Sequence, residues 1–258
     1  MFTLPLPAGL LLASLCVVFA AGIVRGFAGF GFSALCVAAL SLFMPPAQVV
    51  PPVFALEVLA SLSLLRGALR HADWRWLSRL VLGNALCIPL GVALLAYVDE
   101  TVLRLLIGAL MLLAATLLRS GWRLALQPTR GMRLTTGLVS GLVNGVAAIG
   151  GIAVAVMLST TALPPAAMRA TMILMFLFTD LYALAWAAAL PGEGGQELLD
   201  GSTLQLALWL APAMLVGIWF GQRSFVGVSP DLFRRHVLNL LVLIAALSVL
   251  RALWALLG

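Results

Sequence analysis

Residues 22–33 read GIVRGFAGFGFS, and this stretch decides how the chain folds. Glycine weakens a helix by about 1 kcal/mol per site relative to alanine. A charged arginine in hydrocarbon costs roughly 2.5–3.5 kcal/mol on insertion scales. A membrane protein keeps both within an apolar run only where the broken backbone is buried in protein or lines a cavity. We therefore predict a helix break over residues 26–31, at membrane depth and beside Arg25.

A second stretch of this kind, GLVNGVAAIGG, occupies residues 141–151, 119 positions further on. Five glycine and proline positions coincide at this one offset, which predicts an internal duplication. The alternative is a chance match in a chain rich in glycine, alanine and leucine. We assign residues 1–125 to the first repeat and residues 126–258 to the second. The matched pairs are Gly22 and Gly141, Gly26 and Gly145, Gly31 and Gly150, Pro45 and Pro164, and Pro46 and Pro165.

Composition places the chain in a membrane. Of its 258 residues, 63% are hydrophobic and only 9% are charged, so a water-soluble domain could not bury its apolar surface. About ten apolar segments predict an all-α, polytopic membrane protein in which some segments do not cross fully. The chain has no lysine, and its arginines cluster at the ends of apolar segments, as the positive-inside rule expects. The net charge of +6 therefore does not indicate nucleic-acid binding.

The arginines also predict a topology. The arginine-rich connections 66–79, 119–133 and 223–235 are expected in the cytoplasm, and the acidic connections 99–100 and 191–202 are expected outside. The first repeat then starts outside and ends inside, and the second does the reverse. This is an inverted-topology duplication with broken or re-entrant helices, a common plan for secondary transporters.

Four charged residues fall at membrane depth: Arg25, Glu57, Arg169 and Asp180. Such residues usually face the bundle interior and mark a substrate or ion path. We predict that the two arginines bind an anion. We predict that the two carboxyl groups couple protons, because a carboxyl in a low-dielectric site can take up a proton. The alternatives are structural pairs, Arg25 with Asp180 or Glu57 with Arg169, and an Arg169 that extends to the membrane interface.

The helix breaks supply a second predicted element. A helix that restarts after a break has unpartnered N–H groups and the positive end of its dipole there. Two such ends near the midplane, with an arginine beside them, would make an anion site; the alternative is close helix packing through small residues. The restart points are predicted at Phe32 and Ser33, and at Gly151 and Ile152. The predicted anion-binding residues are Arg25, Gly26, Gly29, Gly31, Ser33, Asn144, Gly145, Gly150, Gly151 and Arg169.

Residues 26–52 (GFAGFGFSALCVAALSLFMPPAQVVPP) and 141–171 (GLVNGVAAIGGIAVAVMLSTTALPPAAMRAT) together resemble the TauE/SafE sulfite exporter family, also called TSUP. The resemblance covers nearly the whole chain. It implies two related halves, about eight helices, a place in the bacterial inner membrane, and transport of sulfite, sulfonates and other small organic anions. Members often carry a denser glycine run in the first repeat, where this chain has Phe30 and Phe32. Their bulk would narrow or reshape the site.

The sequence thus predicts a secondary transporter for a small anion, an organosulfonate, sulfite or carboxylate, with protons as a coupling ion and the lipid bilayer as its surroundings. No His pair, HExxH or GxSxG pattern is present, so we expect no enzyme activity. The three cysteines have no metal-binding spacing, so neither a metal nor a cofactor is predicted. The alternative functions are a passive anion channel and a non-transport membrane scaffold.

Overall fold

The computed structural model describes residues 5–119, 129–158, 161, 163–190, 198–223 and 230–257, so parts of the predicted loops 119–133, 191–202 and 223–235 lie outside the described residues. Within these ranges the chain forms ten α-helices, eight of them with 18 residues or more. Seven are long and apolar enough to cross a membrane, which confirms the prediction of an all-α, polytopic membrane protein. The helices are α1 (Ala8–Ala28), α2 (Phe32–Leu40), α3 (Pro46–Leu69), α4 (Trp74–Tyr97), α5 (Glu100–Arg119), α6 (Arg130–Ala147), α7 (Gly151–Leu158), α8 (Pro165–Ala189), α9 (Gly201–Arg223) and α10 (Pro230–Leu257).

The first helix break lies between α1 and α2. Gly29 ends α1 in the left-handed conformation with φ 81°, and its N–H donates to the carbonyl of Arg25 over 2.8 Å. Gly31 precedes α2 with φ 93°, so both glycines supply conformations that other residues adopt at a cost. The restart at Phe32 is as predicted. The prediction that the break begins at Gly26 is wrong, because α1 stays helical through Ala28.

The second break repeats this geometry with one change. Ala148 ends α6 in the left-handed conformation with φ 57°, and its N–H donates to the carbonyl of Asn144 over 2.7 Å. Ala148 is the repeat equivalent of Gly29, so the same turn is made without a glycine. Helix α7 then restarts at Gly151, as predicted.

Gly22 and Gly26 bring α1 against α9. A Cβ atom on Gly22 would lie 2.6 Å from the carbonyl oxygen of Met214, and one on Gly26 would overlap the carbonyl of Ile218. Gly217 faces Gly22 from the other helix. These glycines therefore serve close helix packing, which was the alternative reading of the glycine pattern.

The matched glycines of the second half do the same against α4. A Cβ atom on Gly141 would lie 2.6 Å from the carbonyl oxygen of Asn84, and one on Gly145 would lie 2.5 Å from that of Ile88. Each broken helix thus packs on the fourth helix of the other half: α1 on α9, and α6 on α4.

Other helices also pack against helices of the opposite half, and equivalent helices do so in equivalent pairs. Helix α2 contacts α10 as α7 contacts α5, and α3 contacts α9 as α8 contacts α4. The equivalent helices α3 and α8 contact each other, as do α5 and α10. These contacts are those that a pseudo-two-fold axis between α1–α5 and α6–α10 would produce. The inverted orientation of the repeats in the bilayer and the boundary near residue 125 stay predictions.

Candidate functional site

Arg25 lies on the last turn of α1 and is fully buried. Its Nη2 atom lies 3.0 Å from Glu57 Oε2 and donates to Ser61 Oγ over 3.0 Å. Its Nη1 atom donates to the carbonyl oxygen of Gly29 over 2.5 Å. The guanidinium carbon sits 4.5 Å from the centre of the Phe176 ring. The buried charge is therefore paired and stacked, and both of its Nη groups donate hydrogen bonds, while its Nε group has no hydrogen-bond partner among the described residues.

Glu57 joins this arginine to the start of α2. The carboxylate is fully buried on α3, and its Oε1 atom accepts a hydrogen bond from the backbone N–H of Ser33 over 3.3 Å. Ser33 is the second residue of α2. The carboxylate thus sits where the free N–H groups and the dipole of that helix favour a negative charge.

The second break has an equivalent but different arrangement. The Nδ2 group of Asn144 donates to Asp180 Oδ1 over 2.8 Å, and its Oδ1 atom accepts from the N–H of Gly150 over 3.2 Å. At the repeat offset, Asn144 corresponds to Arg25 and Asp180 to Ser61, so the same positions make contact in both halves. The Oδ2 atom of buried Asp180 has no hydrogen-bond partner among the described residues.

Ser140 and Asn84 complete the polar interior around the second break, and both are fully buried. The Ser140 hydroxyl lies 3.0 Å from the carbonyl oxygen of Gly150 and 3.1 Å from Asn84 Oδ1. The Nδ2 group of Asn84 donates to the carbonyl oxygen of Leu80 over 2.7 Å. These side chains hold the α6–α7 turn with neutral groups.

Arg169 approaches the first break from α8. It is half-buried, its Nη2 group donates to the carbonyl oxygen of Gly26 over 2.8 Å, and its side chain packs on Gly29. The structure therefore brings both predicted arginines to the α1–α2 break. The predicted pairs of Arg25 with Asp180 and of Glu57 with Arg169 are wrong, because Arg25 pairs with Glu57 while Arg169 binds a backbone carbonyl. Nor does Arg169 merely extend to the interface.

Phe176 is a site residue that the sequence reasoning missed. Its ring covers the Arg25 guanidinium and also fills the place where a Cβ atom of Gly151 would stand. A glycine at the start of α7 therefore lets the ring reach Arg25. The available signal was the repeat offset, at which Phe176 corresponds to Glu57.

Two cavities lie at opposite sets of helix ends. One of about 400 Å³ is lined by Arg169, His71 and Gln222, at ends of α8, α3 and α9 that are predicted to be cytoplasmic. The other, of about 570 Å³, is lined by Glu100 and Asp200, at ends of α5 and α9 that are predicted to lie outside. The helix ends that arginine counting assigns to one side of the membrane thus lie around the same cavity. Which side of the membrane each cavity faces stays a prediction.

The two cavities differ in charge. The first contains a guanidinium and the second contains two carboxyl groups. Hydrogen bonds from the hydroxyl and backbone N–H of Thr203 lower the pKa of Asp200, so this carboxyl remains ionised at neutral pH. The first cavity therefore carries positive charge, and the second carries the negative charge of Asp200, because Glu100 is paired with Arg104.

Comparison with known proteins assigns the chain to a family. The sequence model described as "Sulfite exporter TauE/SafE" matches residues 14–248. The chain belongs to the TauE/SafE family. It is similar to a protein of Cupriavidus necator named "Probable sulfite/organosulfonate exporter TauE", with 27% identity over 236 residues, 88% of this chain and 89% of the relative. No solved structure matches. As a TauE/SafE member with seven candidate spans among its described residues, the protein is a multi-pass transporter of the bacterial inner membrane and not an enzyme.

Proposed function

We propose that this protein is a secondary transporter that binds a small anion, sulfite or an organosulfonate, at the breaks between α1 and α2 and between α6 and α7. The observation that carries the proposal is the fully buried Arg25 guanidinium, which shares the Glu57 carboxylate with the backbone N–H of Ser33 at the start of α2. Guanidinium groups and helix N-termini both bind oxyanions, and they are the two elements that such a site needs. The name of the Cupriavidus relative supports a sulfur oxyanion as the substrate class.

The proposed contacts are distributed over both breaks. Arg25 and the N–H of Ser33 bind the anion in the first half, and Gly150, Gly151 and Asn144 border it in the second. Gly29 and Gly31 shape the first turn. Arg169 receives the anion from the cavity of about 400 Å³, because its side chain lies between that cavity and the break. Gly26 and Gly145 contribute through helix packing and, at Gly26, through the carbonyl that Arg169 binds.

Protons are the proposed coupling ion. Arg25, Arg169, Glu57 and Asp180 carry two positive and two negative charges when all are ionised. A substrate anion would leave this buried region with one excess negative charge, which a low-dielectric interior disfavours. Uptake of a proton by Glu57 or Asp180 restores neutrality. The Oδ2 atom of Asp180, buried without a hydrogen-bond partner among the described residues, is a suitable position for the proton.

The charge of the cavities supports export as the direction. Arg169 attracts the anion at the predicted cytoplasmic ends, while Asp200 repels it at the predicted outer ends. Loading from the first cavity is therefore favoured. Because the proton taken up with the anion leaves together with it, export runs down the concentration gradient of the anion and is not driven by an inward proton gradient.

Flux measurements in proteoliposomes test this proposal. We expect saturable sulfite or methanesulfonate transport with counter-flow, abolished in Arg25→Ala and partly recovered in Arg25→Lys, because a point charge cannot replace a planar fork. Arg75→Ala, which removes an exposed arginine at the start of α4, is the matched control and keeps full flux. Flux without counter-flow would indicate a channel, and no flux of any tested anion would indicate a scaffold.

A further inference from the structure

We infer that the Glu57 carboxylate is a tethered anion that occupies the substrate position, and that a substrate displaces it from Arg25 and from the start of α2. The inference rests on the proposed function, since it assigns the regulation of that same site. It makes Glu57 an internal competitor of the substrate and gives it a role different from that of Asp180.

Glu57 already occupies the place of a bound oxyanion, and its Oε2 atom, like Arg25 Nε, has no hydrogen-bond partner among the described residues. One carboxylate oxygen lies 3.0 Å from Arg25 Nη2, and the other accepts from the backbone N–H of Ser33 over 3.3 Å. A sulfonate or sulfite group presents the same kind of oxygen to the same donors. In addition, the Nε group of buried Arg25 has no hydrogen-bond partner among the described residues. The Nε and Nη edge of a guanidinium binds two oxygens side by side, so an oxyanion can use a donor that Glu57 leaves free.

The second half shows that the fold does not need this ion pair. Asn144 stands where the first half has Arg25, and Phe176 stands where it has Glu57. The α6–α7 turn is held instead by Asn144 and Ser140, both neutral. The second half keeps a buried carboxyl, Asp180, which binds neutral Asn144 where the first half has an ion pair. Since a buried ion pair is often no more stable than well-packed neutral groups, stability alone gives no reason for the Arg25–Glu57 pair. A contact that the substrate can displace would explain why the first half has this ion pair.

Several groups face Glu57 from the surrounding helices. Arg25 pairs with it from α1, Cys36 on α2 interacts with it electrostatically, and Asp180 on α8 interacts electrostatically with both Glu57 and Arg25. Arg169 interacts electrostatically with Arg25. Once a substrate holds Arg25, the freed Glu57 shares a buried region with Asp180, and two such carboxylates cannot both stay ionised at low cost. Displacement of Glu57 therefore brings a proton in with the anion.

The test measures binding of methanesulfonate, whose sulfonate stays ionised at neutral and mildly acidic pH, to the full-length protein in lipid nanodiscs. We expect Glu57→Gln to bind the probe about tenfold more tightly than the wild type, because the competitor is gone. Asp180→Asn removes the same charge but vacates no donor, so its gain in affinity is clearly smaller. Asp99→Asn, which removes the charge of an exposed carboxyl outside both cavities, leaves the affinity unchanged.

The melting temperature of the variant, measured with and without methanesulfonate, shows whether a folding defect explains its behaviour. Without an anion, Glu57→Gln leaves Arg25 unpaired and lowers the melting temperature. Methanesulfonate replaces the missing carboxylate, so it raises the melting temperature of Glu57→Gln more than that of the wild type. The variant is therefore expressed and purified with the probe present. A variant that fails to fold even then contradicts the inference.

Other outcomes separate the inference from the proposed function. Unchanged or weaker binding in Glu57→Gln, or an equal gain in Asp180→Asn, overturns the tethered-anion role, and saturable wild-type flux would still support the transporter. Conversely, tight binding and rescue in Glu57→Gln without any wild-type flux would support the inference and contradict the transporter.

Discussion

Removal of one partner from the Arg25–Glu57 pair tests the energetics of the site. At 3.0 Å the two charges attract each other by about 5 kcal/mol for an effective dielectric constant of about 20. Most of this attraction offsets the desolvation of two ions. A single change, Arg25→Met or Glu57→Gln, leaves the other ion buried and unpaired, which typically costs about 3–5 kcal/mol. The double variant removes both charges, so it should recover most of that loss.

Thermal unfolding in detergent, followed by size-exclusion chromatography of the folded fraction, measures these differences in anion-free buffer. The control is Glu100→Gln, which breaks the partly exposed pair with Arg104 on α5 and should change the unfolding free energy by no more than about 0.5 kcal/mol. Single variants as stable as the wild type would show that water or another ion already screens the pair. A double variant less stable than either single one would show that each charge has other important partners. Either result would refute this account of the site.

Three further results are expected. The Gly26→Leu variant should insert into the membrane but lose transport, because its side chain would overlap the backbone of α9. Gly9→Leu on the same helix meets nothing within 4 Å and should stay active. Equal flux in the two variants would show that the contact at Gly26 tolerates a side chain and is not needed for transport. Asp180→Asn should lose proton-driven net flux and keep substrate exchange, and retained proton-driven accumulation would exclude Asp180 as the coupling group. Single cysteines at Arg70 and Gly194, in a cysteine-free background, should react from the cytoplasmic and outer sides respectively, and labelling of both from one side would contradict the inverted repeat.

The first helix break was predictable because its cause is local, whereas the second turn uses Ala148 and was found through the repeat. A turn that needs positive φ selects glycine, so Gly29 and Gly31 mark it in the sequence. The end of α1 was harder to locate. Gly26 is required by close packing against α9, which is distant in sequence, and in the sequence it looks the same as a glycine that ends a helix. Within one half, the sequence could not distinguish a glycine that turns the chain from one that packs.

The partners of the charged residues were less predictable. Glu57 and Asp180 lie one helical turn apart in equivalent helices, so both were suitable partners for Arg25, and linear spacing could not rank them. The choice depends on how α3 and α8 are rotated against α1, which packing determines. Phe176 was missed because one phenylalanine in an apolar segment resembles any other, until the repeat places it opposite Glu57.

The exchange of helix partners between the halves has a consequence for biosynthesis. During translation α1 enters the membrane long before α9, so the contact surface around Gly22 and Gly26 stays without its partner until nearly the whole protein has been made. The surface of α4 that packs against α6 likewise has no partner until α6 has been made. Neither half can assemble its native contacts alone, and maturation depends on late docking of the two. Two separately expressed halves should therefore be degraded individually and become stable together.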